Sequence, residues 1–140
     1  MLDHDTYVRL CRARDFLAAH YTRRLTLNEA ARVACLSPYH FHRLFSNAFK
    51  ETPHDFLTRR RIQDAQHRLI LDNEPVTEIC FSLGYESLGT FSSRFRRVVG
   101  NSPANYRKDV RSVFAVPALW RVQTIPYCFV QFYGLAKPQD

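Results

Sequence analysis

The sequence predicts an all-α fold in which a short helix, a tight turn and a longer helix occur twice, joined by a long linker helix and followed by a short tail of β-strand character. Three observations predict it. Apolar residues recur at helical rather than alternating spacing through residues 5–108. The gaps between them carry helix start and stop signals. And the chain repeats itself: laying 27–56 over 76–106 pairs Glu29 with Glu78, Phe41 with Phe91, Phe45 with Phe95 and Thr52-Pro53 with Ser102-Pro103, with one extra residue in the second turn.

Taken in order, Tyr7, Leu10, Cys11, Phe16, Leu17 and Tyr21 mark a first amphipathic helix from about Asp5 to His20. Thr26 and Glu29 have the spacing of a capping box, so a short helix starts there and runs to about Ala34. Ser37 caps a third helix that opens on Pro38, a residue tolerated in a first turn because its missing amide would be unpaired there anyway. Its apolar face is Phe41, Leu44, Phe45 and Ala48.

Thr52-Pro53 starts a long helix to about Leu71, rich in charge and expected to be exposed along much of its length. The stretch 72–75 breaks it. Val76 to Leu83 forms a short helix ended by Gly84, and Ser87 caps another that runs to Val99 and Gly100. Ser102-Pro103 opens a last short helix through Tyr106 and Arg107. From 109 the character changes: Val110–Val116, Trp120–Ile125 and Tyr127–Leu135 read as one to three short strands between prolines.

Two such helix pairs suit insertion of each second helix into a major groove. As a helix, 53–71 spans about 28 Å, near the ~34 Å between successive major-groove faces on one side of B-DNA. The plainer alternative is a helical bundle that repeats for packing reasons.

Composition bounds the function. The chain has 140 residues, of which 46% are hydrophobic, enough for one domain with a buried core plus a tail. Twenty Lys and Arg against thirteen Asp and Glu give a net charge of +7, which favours an anionic partner, although a solvated charged face has the same composition. The basic residues are mostly Arg, suited to bidentate contacts with phosphates and guanine edges.

Cys11, Cys35, Cys80 and Cys128 lie far apart, without a CxxC pair, and read as reduced residues at core-like positions. His40, His54 and His67 share no metal-ligand spacing, so neither a metal nor a cofactor is expected. No apolar run approaches the ~20 residues that cross a bilayer, and no signal peptide is evident, which makes the expected location cytoplasmic.

Leu25–Phe45, LTLNEAARVACLSPYHFHRLF, and Ile79–Arg107, ICFSLGYESLGTFSSRFRRVVGNSPANYR, resemble the DNA-binding domain of AraC/XylS transcription regulators over residues 5–108. The second block is the more specific: Gly84-Tyr85-Glu86-Ser87, Phe91-Ser92, Phe95-Arg96-Arg97, Gly100, Ser102-Pro103 and Tyr106-Arg107 fall at the family's spacing. The resemblance implies two helix-turn-helix units, at about 26–50 and 76–99, with the helix 53–71 between them. It also implies promoter DNA as partner, and RNA polymerase as a further one. The small-molecule effector, the oligomeric state, the operator and the sign of regulation are left open.

Residue by residue, the resemblance places Tyr39, His42 and Arg43 on the reading face of the first recognition helix, with Ser46 and Asn47 toward the DNA backbone. Arg43 is the strongest candidate. Its guanidinium fork can pair with O6 and N7 of a guanine, worth roughly 1 to 3 kcal/mol of discrimination; a phosphate contact is the alternative. In the second helix the reading positions fall on Leu88, Gly89, Ser92 and Ser93, where side chains are small. Hydrogen-bonded specificity is therefore expected to come mainly from the first unit.

Arg94, Arg96, Arg97 and Arg107, with Lys108, are candidate phosphate contacts. Arg59, Arg60 and Arg61 are as consistent with a solvated face as with DNA. The four repeated phenylalanines are core rather than stacking platforms. Lys50 stands where the family usually has Gly, so that helix end is strained or differs locally.

Two other classes compete. An enzyme is conceivable because this module also occurs fused to alkyltransferase domains with a reactive Cys, but no Pro-Cys-His-Arg motif, carboxylate pair or phosphate loop is present. The other is a protein-interaction module with weak or lost DNA binding, assembled through the aromatic tail at 109–140.

Overall fold

The computed structural model describes residues 2–113, and these form seven α-helices without a strand. They are α1 (His4–Ala19), α2 (Leu27–Val33), α3 (Pro38–Phe49), α4 (Pro53–Leu71), α5 (Val76–Ser82), α6 (Leu88–Val99) and α7 (Pro103–Val113). The chain divides into two compact units, 1–61 and 62–140, with the boundary inside α4.

In the first unit, the Asp3 carboxylate caps α1 by accepting the Thr6 amide at 2.9 Å. The expected capping box is present at α2: Thr26 accepts from the Glu29 amide while Glu29 accepts from the Thr26 amide at 2.8 Å. Ser37 caps α3 through the His40 amide. The core is Leu10, Ala13 and Leu17 of α1, Ala30, Ala31 and Ala34, then Phe41 and Phe45 of α3 with Phe56 and Leu57 of α4. Phe45 sits at its centre, with ring contacts to Phe41, Phe49 and Phe56.

In the second unit, Ile62, Ala65, Leu69 and Ile70 of α4 are buried, as are Ile79, Cys80, Leu83, Tyr85, Phe91, Phe95, Val99, Tyr106 and Val110. Phe95 makes edge contacts with Tyr106, and the buried Gln66 amide donates to the Tyr106 hydroxyl. Gly84 and Gly100 take φ of 85° and 88° at the turn and at the end of α6, the left-handed region that a side chain disfavours.

Three expectations are corrected. α4 is not exposed along much of its length; Phe56, Leu57, Thr58, Ile62, Ala65, Gln66, Leu69 and Ile70 are all buried, because core contacts flank it in both units. The last helix does not stop near Arg107, and Val110 begins no strand. Buried residues at Pro103, Tyr106 and Val110 keep helical spacing to Val113, so the apolar Val110 belongs to a helix face. Cys35 is not core-like but exposed, with φ 54° in the turn. The strands expected in 114–140 lie outside the described residues.

Candidate nucleic-acid interface

Each unit pairs a seven-residue helix with a twelve-residue one: α2 with α3, and α5 with α6. The turns close in the same way. Leu36 N–H donates to Ala31 O at 3.0 Å, and Tyr85 N–H to Cys80 O at 3.3 Å. Cys35 and Gly84 hold the left-handed position, after which Ser37 and Ser87 cap the second helix.

On α3 the buried residues Phe41 and Phe45 fix one face. Positions three and four apart share a side of a helix, so Tyr39, His42, Arg43, Ser46 and Asn47 lie together on the other. Tyr39, at 71% exposure, His42, Arg43 and Asn47 all face solvent. Ser46 is half-buried, and its hydroxyl donates to His42 O at 2.7 Å, so its proton is already engaged. Beside this face the His40 ring meets Ser37 Oγ through Nδ1 at 2.9 Å.

The corresponding face of α6 is Gly89, Ser92, Ser93, Arg96 and Arg97, with Leu88 at 38% exposure on the first turn. A Cβ at Gly89 would meet no atom within 4 Å, so close packing does not require glycine here. Gly89, Thr90, Ser93, Arg94 and Arg97 line a shallow concavity. Arg96 and Arg97 also stand in the last turn, where a cation favours the helix dipole.

The arginines of α3, α4, α6 and α7 fall into two groups. Arg59 forks onto Glu51 and lies over Phe56. Arg60 lies over the Tyr21 ring, and Arg61 donates to Tyr21 O and Arg23 O. These three fasten the first half of α4 to the rest of the first unit rather than forming a solvated face. In the second unit Arg68 forks onto Glu74, which raises its pKa further, and reaches Ser82 Oγ. Arg107 donates to Leu69 O and Glu74 O, and Arg111 to Asp72 O.

Arg107 is thus drawn inward: burial, then the Arg111 charge, lowers its pKa. It buttresses the α4–α5 turn. By contrast, among the described residues no hydrogen bond or ion pair holds the guanidinium of Arg43, Arg94, Arg96 or Arg97. Sequence reading missed the clamps of Arg61, Arg68 and Arg111, because backbone carbonyls brought close only by folding leave no local signal.

The remaining chemistry is structural. Burial pushes the Cys80 thiol up, so it is a poor nucleophile. Among the described residues no group of three or more His, Cys, Asp or Glu is placed to hold a metal ion, and no helix is long and apolar enough to cross a membrane.

Comparison with known proteins decides the family: a helix-turn-helix domain model matches residues 30–109, across both helix pairs. The chain belongs to the AraC family of helix-turn-helix domains. It is 33% identical over 95 residues to the raffinose operon transcriptional regulatory protein RafR of Pediococcus pentosaceus, covering 68% of this chain and 34% of that protein. It is 28% identical over 97 residues to the probable transcriptional regulator LumQ of Photobacterium leiognathi, covering 69% of this chain and 39% of the relative. The chain therefore spans well under half the length of these relatives. The DNA-binding domain of AdpA, solved in complex with a target DNA, superposes with a TM-score of 0.72 at 26% identity, covering 83% of this AraC-family chain and 98% of the AdpA domain.

Proposed function

We propose that residues 5–108 bind double-stranded DNA sequence-specifically and that the protein regulates transcription from promoter sites, acting in the cytoplasm. The observation that carries this reading is the division of the arginines among α3, α4, α6 and α7. Those of α4 and α7 are engaged with the chain itself, whereas Arg43 on α3 and Arg94, Arg96 and Arg97 on α6 are not. Similarity to the AdpA domain, solved with DNA, supports the same reading.

Within it, Tyr39, His42 and Arg43 read base edges, and Asn47 and Ser46 meet the DNA backbone, Ser46 only after its hydroxyl leaves His42 O. On α6, Leu88, Ser92 and Ser93 offer little hydrogen-bonding reach, so the second unit contributes mainly phosphate contacts through Arg94, Arg96 and Arg97. Arg107 is a positioning residue.

Selection from a randomised duplex pool at two salt concentrations tests this. The expected result is one preferred motif, salt-sensitive affinity, and relaxed preference in one half of the motif with Arg43→Ala. Negligible binding even at low salt would overturn the reading and leave a protein-interaction module as the better account.

A further inference from the structure

We infer that Lys50 is an additional phosphate-binding residue, extending the contact face of α3 by one turn; the inference rests on the duplex-binding reading above. Lys50 ends α3 with φ 60° and ψ 18°, in the left-handed region, and its amide donates to Ser46 O at 2.9 Å. Gly100 ends α6 in the same way, with φ 88° and an amide bonded to Arg96 O. The backbone geometry therefore asks for glycine, and one unit has it. In the other, an exposed lysine occupies a conformation that its Cβ disfavours.

Neither ion pairing nor packing accounts for that choice. The adjacent Glu51 carboxylate is held by Arg59 through two hydrogen bonds, at 3.1 and 2.7 Å, and is not directed to Lys50. Lys50 itself is exposed, and no ion pair or hydrogen bond engages its ammonium among the described residues. A lysine at a helix C-terminus does favour the dipole, but that benefit is available at any position of the last turn without a left-handed backbone.

Register supplies the positive argument. Lys50 follows Tyr39, Arg43 and Ser46 at spacings of three and four, continuing their stripe. It lies about 16 Å along the helix from Tyr39, and the major groove is about 12 Å wide. When the first turns of a recognition helix sit over base edges, the residue at its far end has passed the groove floor and meets the phosphate ridge. A flexible ammonium suits that contact as a point charge.

The test uses the full chain, a labelled random-sequence duplex and a series of salt concentrations, with thermal melting alongside. Lys50→Gly should melt several degrees higher than the natural protein yet bind several-fold more weakly, with a log–log salt slope shallower by about one. Lys50→Asn, neutral but tolerant of the left-handed region, should lose the same affinity and slope. Lys50→Arg should keep both. A natural protein that binds with salt dependence, alongside a Lys50→Gly variant of unchanged affinity and slope, would overturn the inference while leaving the duplex-binding reading intact. A natural protein without salt-sensitive affinity would overturn that reading, and the inference with it.

Discussion

The two helix pairs share a scaffold and differ in where they are demanding. The first unit closes α2 with a capping box, whereas the second starts α5 at Pro75 with no side-chain cap. The first places Cys35 and Lys50 at left-handed positions that the second gives to Gly84 and Gly100. Its exposed α3 face carries Tyr39, His42 and Arg43, where the second has Gly89, Ser92 and Ser93. Backbone ease and chemical content are thus distributed oppositely. A common fold leaves the exposed face free to differ, because the packing of α3 and α6 rests on the opposite faces, centred on Phe41 and Phe45 and on Phe91, Phe95 and Val99.

The largest expected effects concern what the units share. Phe45→Ala and Phe95→Ala should each cost about 3 to 5 kcal/mol, because both side chains are fully buried and no neighbour can fill the space. Urea unfolding checks this, and a cost below about 1 kcal/mol at either site would show that the two cores are not equivalent. Next comes the contrast between the faces. Arg43→Ala should cost roughly 1 to 3 kcal/mol at its preferred base pair, while Ser93→Ala should change base preference little.

Smaller effects sharpen the backbone side of the comparison. Cys35→Gly should stabilise the first unit by about 1 kcal/mol by relieving the left-handed Cβ. Gly89→Ala should stabilise the second by about the same amount, since the added methyl meets open space. Thermal melting measures both, and a destabilising Gly89→Ala would contradict the open space beside position 89.

The smallest concerns the capping box. The Thr26 amide, then the Arg23 guanidinium and the Thr26 hydroxyl, hold the Glu29 carboxyl at about 2, below its ordinary 4.5. A lowered folded-state value means a stabilising contribution that is present above the ordinary value and lost as pH falls toward about 2. Acid titration of stability should therefore be shallower in Glu29→Gln over that window.

Much of the scaffold was legible because it is local. Ser37-Pro38, Thr52-Pro53 and Ser87 mark starts, Gly84 and Gly100 mark ends, and α3 and α4 run between the expected residues. Long-range packing was not legible. The burial of Ile62 and Leu69 hid behind the charge of their neighbours, and nothing beside Val110 showed whether its apolar side chain met a helix or a sheet. In the candidate interface, Arg43 could be proposed from the family resemblance and Arg97 from the cluster of basic residues around the second unit, whereas separating Arg107 from them needed the folded positions of Leu69 O and Glu74 O.

The most direct test of the asymmetry is to select preferred duplexes for two variants in parallel. One carries alanine at Tyr39, His42 and Arg43; the other carries it at Leu88, Ser92 and Ser93. The expected result is loss of base preference in the first variant, with the motif largely retained in the second. Equal loss of preference in both variants would contradict the assignment of specificity to the first unit.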